Sequence, residues 1–227
     1  MAGELPALRA TEVSKDYGDR PALHPVSLVI GEHERVVLIG HNGSGKTTLL
    51  RISAGLLDAS SGTVEIFGRP AGSQPARRQL AYLGDTPTFY EDLSVLEHLQ
   101  YVAGLHGVEQ WEPRGRELLE RLGIAHRADD LPTRFSRGMR QKTAIALGLI
   151  RPFSLLIVDE PFVGLDEPGR EALVGLMDDA HRAGATVIVA THEMSYAAGA
   201  PRVIALREGS VAYDGAPGDT DLHALVG

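Results

Sequence analysis

At residues 40–47 the chain reads Gly40-His41-Asn42-Gly43-Ser44-Gly45-Lys46-Thr47, which fits the phosphate-loop pattern G-x-x-x-x-G-K-[ST] at every fixed position. Residues 35–39 predict a buried strand before the loop, and the spacing of apolar residues in 49–56 predicts an amphipathic helix after it. Glycines let backbone N–H groups point inward, and the helix N-terminus adds partial positive charge. The pattern therefore predicts a phosphate-binding site; the alternative is a flexible glycine turn beside a surface lysine.

The residues of this loop have different expected roles. Lys46 is expected to reach the β- and γ-phosphates of a nucleotide, and the Thr47 hydroxyl is expected to ligate Mg²⁺. The residues predicted to bind the nucleotide at the loop are Gly40, His41, Asn42, Gly43, Ser44, Gly45, Lys46, Thr47 and Thr48.

Composition narrows the class of protein. The 227 residues are 43% hydrophobic and 23% charged, which is enough apolar material for a globular core. The net charge of −8 argues against broad binding to nucleic acid, so no nucleic-acid partner is expected. The absence of cysteine excludes disulfides and thiolate metal sites. Without a signal peptide or an apolar run of about 18 residues, the chain is expected to be cytoplasmic, which is compatible with docking on a membrane protein.

The predicted secondary structure changes character along the chain. Strands are predicted at residues 8–17, 26–30, 62–68, 80–83, 155–158, 186–190, 203–206 and 210–213. Between them, residues 94–150 are mostly helical, with a capping box formed by Ser94 and Glu97 and a second helix cap at Ser136. A further helix is predicted at 167–182. This order predicts an α/β core with a helical insertion.

A second motif carries paired acids at the end of an apolar strand. Leu155-Leu156-Ile157-Val158 leads directly into Asp159-Glu160-Pro161. Ligands of such sheets bind at the carboxyl ends of the strands. Asp159 is therefore expected to hold Mg²⁺, and Glu160 is expected to polarise an attacking water. The alternative is an exposed acidic turn.

Four further segments accompany these two motifs. Phe135-Ser136-Arg137-Gly138-Met139-Arg140-Gln141 precedes the carboxylate strand, and Gly164-Leu165-Asp166 follows it. Thr191-His192-Glu193 comes directly after a predicted strand, and Tyr17 ends the first strand. In this order the segments resemble the signature motif, the D-loop, the switch histidine and the adenine-stacking residue of the ATP-binding subunit (nucleotide-binding domain) of an ABC transporter. The altered signature is similar to that of bacterial ABC-2-type or haem-exporter-like export cassettes.

The resemblance, which covers almost the whole chain, implies a fold. It is an α/β fold in which a P-loop NTPase core with a mixed sheet carries an N-terminal antiparallel β subdomain and a helical insertion. Residues 1–227 would form a single ATPase cassette. Its core would comprise residues 1–85 and 153–227, and its helical subdomain would comprise residues 86–152.

The resemblance also implies an activity, which is ATP hydrolysis that powers a membrane transporter, in the direction of export. The cofactors would be ATP and Mg²⁺. The partners would be an integral membrane transporter subunit and a second copy of the chain, or a homologous cassette, in a head-to-tail dimer. The chain would lie at the inner face of the cell membrane through its transmembrane partner.

Site roles follow from the same resemblance. Lys46, Glu160 and His192 are expected to be catalytic. Further residues are expected to contact nucleotide, namely Tyr17, Asp85, Asp166 and, across the dimer, Ser136 and Gly138. The metal is expected to be held by Thr47, Asp159 and Asp85.

Two parts of the chain depart from the family pattern. In the signature motif, Phe135 replaces leucine, Arg137 replaces the first glycine and Met139 replaces glutamine, whereas Ser136 and Gly138 are kept. Asp85 stands where the family has the Q-loop glutamine. A carboxylate there would still ligate Mg²⁺, but it would add negative charge near the γ-phosphate.

Several alternatives stay open at this point. In the alternative to nucleotide binding, Tyr17 is an ordinary aromatic residue at the end of a strand, His192 is a histidine without nucleotide contact, and Ser136 is only a helix cap. At the level of function, the rivals are a soluble ABC ATPase outside transport and a nucleotide-sensing module with little turnover. The segment 86–105 is expected to receive a helix of the membrane subunit, against the alternative of a solvated acidic face.

Overall fold

The computed structural model describes residues 5–18 and 20–226, which form two sheets and the helices around them. The strands are β1 (Leu8–Tyr17), β2 (Arg20–Ile30), β3 (Arg35–Ile39), β4 (Ser61–Ile66), β5 (Arg69–Pro70), β6 (Leu80–Leu83), β7 (Leu155–Asp159), β8 (Thr186–Ala190), β9 (Arg202–Arg207) and β10 (Ser210–Gly215). The α-helices are α1 (Lys46–Ser53), α2 (Gln74–Gln79), α3 (Val95–Leu105), α4 (Glu112–Arg121), α5 (Arg137–Leu149), α6 (Glu167–Arg182), α7 (Met194–Ala198) and α8 (Leu222–Val226).

The smaller sheet is antiparallel and comes from the N-terminal part of the chain. Its strand order is β2-β1-β4-β5. One face packs onto α1 and the larger sheet, because alternate residues such as Leu8, Ala10 and Ile66 point inward and share a buried apolar cluster with Leu49 and Ile188. The predicted antiparallel β subdomain is confirmed.

The larger sheet is mixed, with strand order β10-β9-β3-β8-β7-β6. Every neighbouring pair is parallel except β9 and β10, which form an antiparallel hairpin. Strands β7 and β8 are buried along their whole length, as expected for parallel strands covered on both faces. The register pairs both Leu38 and Asp159 with Ala190, so the carboxyl ends of β3, β7 and β8 meet at one edge of the sheet.

Helices α3, α4 and α5 lie between β6 and β7 in the chain, where the helical insertion was expected. The capping box is present, because Ser94 Oγ accepts a hydrogen bond from Glu97 N–H and Glu97 Oε2 accepts one from Ser94 N–H. Leu99, Leu118 and Ile145 of the three helices share one buried cluster with strand β7. The division of the chain into residues 1–85, 86–152 and 153–227 stays a prediction.

Some element boundaries differ from the predictions. Strand β2 begins at Arg20 rather than at residue 26, because pairing with β1 extends it through Pro21 and Pro25. Helix α1 ends at Ser53, and Gly55 with φ 68° follows, so Leu56 is exposed rather than buried. The short helices α2 and α7 were not predicted, since so few residues show no helical periodicity.

The length and apolarity of a helix decide whether it can span a membrane. Across residues 5–18 and 20–226, we find no helix that is both long enough and apolar enough to cross a membrane.

Candidate functional site

The phosphate loop joins β3 to α1 and runs close to neighbouring backbone. Gly40 and Gly45 have φ values of 156° and 104°, which favour glycine. A Cβ atom on Gly40 would lie 2.4 Å from the carbonyl oxygen of Leu206, and one on Gly45 would lie 2.9 Å from that of Ala22. The loop therefore requires glycine at both positions, as the pattern predicts.

Lys46 lies inside the curl of the loop rather than on the surface. Its side chain is only 5% exposed, and its Nζ donates hydrogen bonds to the carbonyl oxygens of Gly40 and His41, at 2.7 and 3.3 Å. The same Nζ lies 3.6 Å from Oε1 of Glu160. The alternative of an ordinary surface lysine does not fit this burial.

The other loop residues differ in exposure. His41, Asn42 and Gly43 are exposed, whereas Thr47 and Thr48 are partly buried at the start of α1. The Ser44 hydroxyl is buried and has no hydrogen-bond partner among the described residues. A buried hydroxyl without a partner is unfavourable, so this hydroxyl is available to a ligand.

Asp159 ends β7 as a fully buried carboxylate. Within residues 5–18 and 20–226, neither of its oxygens has a hydrogen-bond partner. Burial raises the pKa of Asp159, and the nearby Asp85 and Glu160 carboxylates raise it further. The Thr47 hydroxyl and the Lys46 ammonium oppose that rise, although Thr47 does not reach hydrogen-bonding geometry. A buried acid without donors is costly and is suited to binding a cation.

Glu160 and His192 form a pair although 32 residues separate them in the chain. Nδ1 of His192 lies 2.8 Å from Oε2 of Glu160, and the histidine side chain is 54% exposed. Glu160 adopts φ 47°, a left-handed conformation that is unfavourable for glutamate, and its N–H donates to the Ala190 carbonyl at 2.9 Å. The acid that follows β7 and the histidine that follows β8 therefore meet beside Lys46.

Asp85 lies just after β6 and contacts α1. Its Oδ1 is 3.3 Å from the Arg51 guanidinium, with both side chains nearly half exposed. Its charge also acts on Asp159, so it lies on the side of the sheet that carries the phosphate loop. On β6, burial raises the pKa of the Tyr82 phenol to about 12, and the Asp159 carboxylate adds to the rise. Sequence reasoning missed Arg51 and Tyr82, since neither belongs to a motif.

Tyr17 presents its ring to solvent at the tip of the β1–β2 hairpin. Its side chain is 54% exposed, and Tyr17 pairs with Arg20 in the strand register. Two residues further on, Ala22 is the neighbour of Gly45 in the phosphate loop. The hairpin therefore carries an exposed aromatic ring near the loop, in a position compatible with stacking on a base.

Ser136 caps the signature helix α5, because its Oγ accepts a hydrogen bond from the N–H of Met139 at 3.3 Å. Gly138, in the first turn, faces the D-loop: a Cβ atom there would lie 2.5 Å from the carbonyl oxygen of Gly164. The side chain of Arg137 also lies close to Gly164, since its Cδ is 3.3 Å from where a Cβ atom of Gly164 would stand. The signature helix and the D-loop are thus packed directly on each other.

Asp166 has two partners inside the chain. It caps α6 by accepting a hydrogen bond from Gly169 N–H at 3.2 Å, and its Oδ1 lies 2.7 Å from Nζ of Lys142 on α5. The Lys142 ammonium holds the pKa of Asp166 below its usual range. Lys142 was not predicted, because an ion pair between two helices leaves no local signal in the sequence.

The structure brings part of the predicted site together. Lys46, Asp159, Glu160 and His192 lie at the shared edge of the mixed sheet, with Asp85 nearby. Among the described residues, no hydrogen bond or ion pair joins Ser136 to the phosphate loop. Within the same part of the chain, no group of three or more His, Cys, Asp or Glu side chains could hold a metal ion.

Comparisons with known proteins show the family of this chain. The sequence model of the family described as ABC transporter matches residues 23–163. The ABC-type transporter ATP-binding protein EcsA of Bacillus subtilis (strain 168) is 36% identical over 194 residues, which cover 84% of this chain and 78% of that protein. The cytochrome c biogenesis ATP-binding export protein CcmA of Xanthomonas axonopodis pv. citri (strain 306) is 37% identical over 188 residues, which cover 82% and 87%.

A solved structure gives the same result. It is described as the ATP-binding subunit of an ABC transporter, superposes with a TM-score of 0.90 at 32% identity, and the match covers 96% of this chain and 97% of that chain. The chain therefore belongs to the ABC transporter family, as an ATP-binding subunit of the kind that couples ATP hydrolysis to transport.

Proposed function

We propose that this subunit hydrolyses ATP at the edge of its mixed sheet and thereby powers export through a membrane partner. The observation that carries the proposal is Asp159, a buried carboxylate without a partner, beside Lys46 and the Glu160–His192 pair. Phosphoryl transfer to water requires a phosphate-loop lysine, a metal-binding acid and a second acid, and these groups are present here.

Mg²⁺ fits the residues present. Magnesium is usually bound by one or two protein oxygens together with phosphates and water, rather than by an all-protein cage. Asp159 and the Thr47 hydroxyl supply such oxygens, and Asp85 is near enough to add charge. When bound, Mg²⁺ would neutralise charge on the transferred phosphoryl group.

Glu160 is the group that we assign to the attacking water. Its Oε2 is held by His192, whereas its buried Oε1 has no hydrogen bond among the described residues. Oε1 is therefore free to accept a hydrogen bond from a water and then its proton. His192 orients the carboxylate, and Lys46, which already lies 3.6 Å from Oε1, balances its negative charge.

The second half of the site would come from another copy of the chain, or from a homologous cassette. Ser136 is exposed at the N-terminus of the 13-residue helix α5, so its hydroxyl and nearby N–H groups can approach a phosphate. Gly138 permits the close packing that this approach needs. In the head-to-tail dimer, Asp166 would lie at the interface and Tyr17 would stack on the adenine.

The membrane partner would dock on the cleft beside Asp85. This cleft is lined by apolar side chains after β6 and on helices α3 and α5, among them Phe89, Val102 and Leu147. An amphipathic helix of the membrane subunit would fill such a groove, which would place the chain at the inner face of the membrane. The direction of export rests on the signature variant Ser136-Arg137-Gly138 and on the name of the Xanthomonas relative.

Glu160→Gln tests the proposal. The variant should bind ATP but turn it over about 10²- to 10⁴-fold more slowly, because it lacks the base. With ATP and Mg²⁺ it should also accumulate as a dimer, measured by size-exclusion chromatography with light scattering. Glu91→Gln, at an exposed position, is the matched control and should behave as wild type. Near-normal turnover by Glu160→Gln would remove Glu160 from the role.

Reconstitution with the membrane subunit tests the transport role. ATPase activity should rise in the presence of the partner, and substrate should accumulate inside inverted vesicles if the direction is export. Turnover that does not respond to the partner would favour an ATPase outside transport. Nucleotide binding with negligible turnover in both conditions would favour a sensing module.

A further inference from the structure

An ion pair involves the residue that follows His192 in the chain. Arg170 of helix α6 donates two parallel hydrogen bonds to Glu193, from Nη1 to Oε1 at 2.7 Å and from Nη2 to Oε2 at 2.5 Å. Both side chains are partly buried. Two parallel bonds between a planar guanidinium and a carboxylate fix both position and orientation. Since Glu193 is the next residue after His192, the pair restrains the segment that carries the histidine.

The same guanidinium also contacts the segment that carries Glu160. It lies 5.0 Å from the ring centroid of Phe162, two residues after Glu160. The buried Phe162 ring packs edge-on against Tyr196 of α7, with 4.9 Å between ring centroids. Arg170 therefore touches one element after β7 and one after β8, and these two elements carry the two members of the Glu160–His192 pair.

Both neighbours of His192 in the chain are held by hydrogen bonds. On one side, Thr191 is tied to the sheet, because its N–H donates to the Leu38 carbonyl at 3.0 Å. On the other side, Glu193 donates its N–H to the Thr191 hydroxyl at 3.1 Å and holds Arg170 with its carboxylate. The exposed histidine side chain itself has Glu160 as its hydrogen-bond partner, so its direction depends on these two neighbours.

We propose that Arg170 is a positioning residue for ATP hydrolysis, which holds the His192 segment through Glu193 and the Glu160 segment through Phe162. The inference rests on the function proposed above. Glu160 adopts an unfavourable left-handed conformation that surrounding contacts must maintain. Arg170 maintains it from one side and aligns His192 from the other. Nucleotide binding does not depend on Arg170, because its described contacts lie outside the phosphate loop.

Steady-state ATPase kinetics of the full chain test this role. Arg170→Met keeps the length of the side chain but removes its charge and its donors. We expect kcat to fall roughly 10- to 100-fold, since a displacement of about 1 Å at the reacting groups has effects of this size. KM should stay within about twofold of wild type, because ground-state binding is untouched. Arg170→Lys should recover part of kcat, since it restores one charged hydrogen bond.

A double-mutant cycle with His192→Ala separates positioning from general loss of stability. Because Arg170 acts partly through the histidine, Arg170→Met should cause a smaller loss of kcat in a His192→Ala background than in wild type, where the route through Phe162 to Glu160 adds to it. Asp214→Asn is the matched control: it breaks a parallel pair with Arg202 of similar geometry, at 2.7 and 2.8 Å, on the β9–β10 hairpin. This control should keep wild-type kcat, and thermal unfolding should confirm that every variant is folded.

Three results would overturn the inference. A wild-type kcat for both Arg170 variants would show that the ion pair does not matter for turnover. An equally large fall in the His192→Ala background would show that Arg170 does not position His192, which is half of the proposed role. A His192→Ala enzyme as fast as wild type would remove the role of His192, and with it this inference and part of the proposed function. The first two results, with a slow His192→Ala variant, would leave the proposed function intact.

Discussion

Replacing Asp159 with asparagine should make the nucleotide-free protein more stable and remove its stabilisation by Mg²⁺ and ATP. The reason is that Asp159 is a fully buried acid whose two oxygens lack hydrogen-bond partners among residues 5–18 and 20–226. Its neighbours Asp85 and Glu160 are also acids, and they add repulsion to the cost of burial. A neutral amide of the same shape avoids the charge, whereas it is a poor ligand for Mg²⁺.

The expected increase in the free energy of unfolding can be estimated from the cost of burying a polar group without a partner. Leaving a polar group without a partner costs about 1–3 kcal/mol, and more for a charge. Because the asparagine amide still lacks partners, only part of this cost is recovered, and we expect a gain of about 2 kcal/mol. For a chain of this size that corresponds to a rise in Tm of roughly 4–8 °C.

The increase in stability caused by Asp159→Asn should be larger at neutral pH than in acid. Burial raises the folded-state pKa of Asp159, so the folded protein binds the proton more tightly than the unfolded chain does. The contribution of this group to stability is therefore present below its unfolded pKa and is lost as pH rises through the folded pKa. The Tm difference between Asp159→Asn and wild type should be small in acid and should grow towards neutral pH.

Thermal unfolding followed by circular dichroism measures both effects. With ATP and Mg²⁺ at about 100 times the dissociation constant, wild type should gain about 2.7 kcal/mol, and Asp159→Asn should gain much less. Asp92→Asn, at an exposed acid, is the control and should change stability by less than about 0.5 kcal/mol. A nucleotide-free Asp159→Asn protein that is less stable than wild type would refute the reasoning, as would a full response to Mg²⁺ and ATP.

Two further substitutions test other parts of the site. Lys46→Met should abolish ATP binding, because it removes the cation that lies inside the phosphate loop; an unchanged ATP titration would contradict that assignment. Gly138→Ala should leave ATP binding by the single chain intact but prevent dimer formation, since the added Cβ would lie 2.5 Å from the Gly164 carbonyl oxygen. Such overpacking costs about 1–3 kcal/mol and pushes α5 away from the D-loop. Gly104→Ala, where nothing lies within 4 Å of the added Cβ, is the control, and light scattering that finds equal dimer for both variants would count against the role of Gly138.

Much of the fold could be predicted because local signals are strong in this chain. The strands predicted at 8–17, 80–83 and 186–190 and the helix predicted at 167–182 match β1, β6, β8 and α6. In each case apolar runs or helical periodicity agree with the flanking glycines and caps. The strands predicted at 203–206 and 210–213 match β9 and β10, which form an antiparallel hairpin that turns at Glu208-Gly209.

Where tertiary contacts override local preference, the predictions failed. Strand β2 extends through two prolines because β1 pairs along its length, and no pattern within 20–30 indicates this. Within the region predicted only as mostly helical, helix α4 begins at Glu112, and Pro113 is favourable in its first turn. Trp111 and Leu118 pack into the buried cluster between helices and sheet, which stabilises that start.

The order of residues along the chain specifies which chemical groups follow which strand. Gly40–Thr47 after β3, Asp159-Glu160 after β7 and Thr191-His192 after β8 are local patterns, and parallel strands place their carboxyl ends at one edge. The pairing of these groups is a property of the folded chain alone. Three features depend on the strand order β3-β8-β7 and on how α6 lies against it. They are the buried Asp159 carboxylate without a hydrogen-bond partner among the described residues, the Glu160–His192 contact across 32 residues and the Arg170–Glu193 pair across 23 residues. Periodicity reports only which face of an element is buried, so contacts between side chains that are distant in sequence emerge when the sheet assembles.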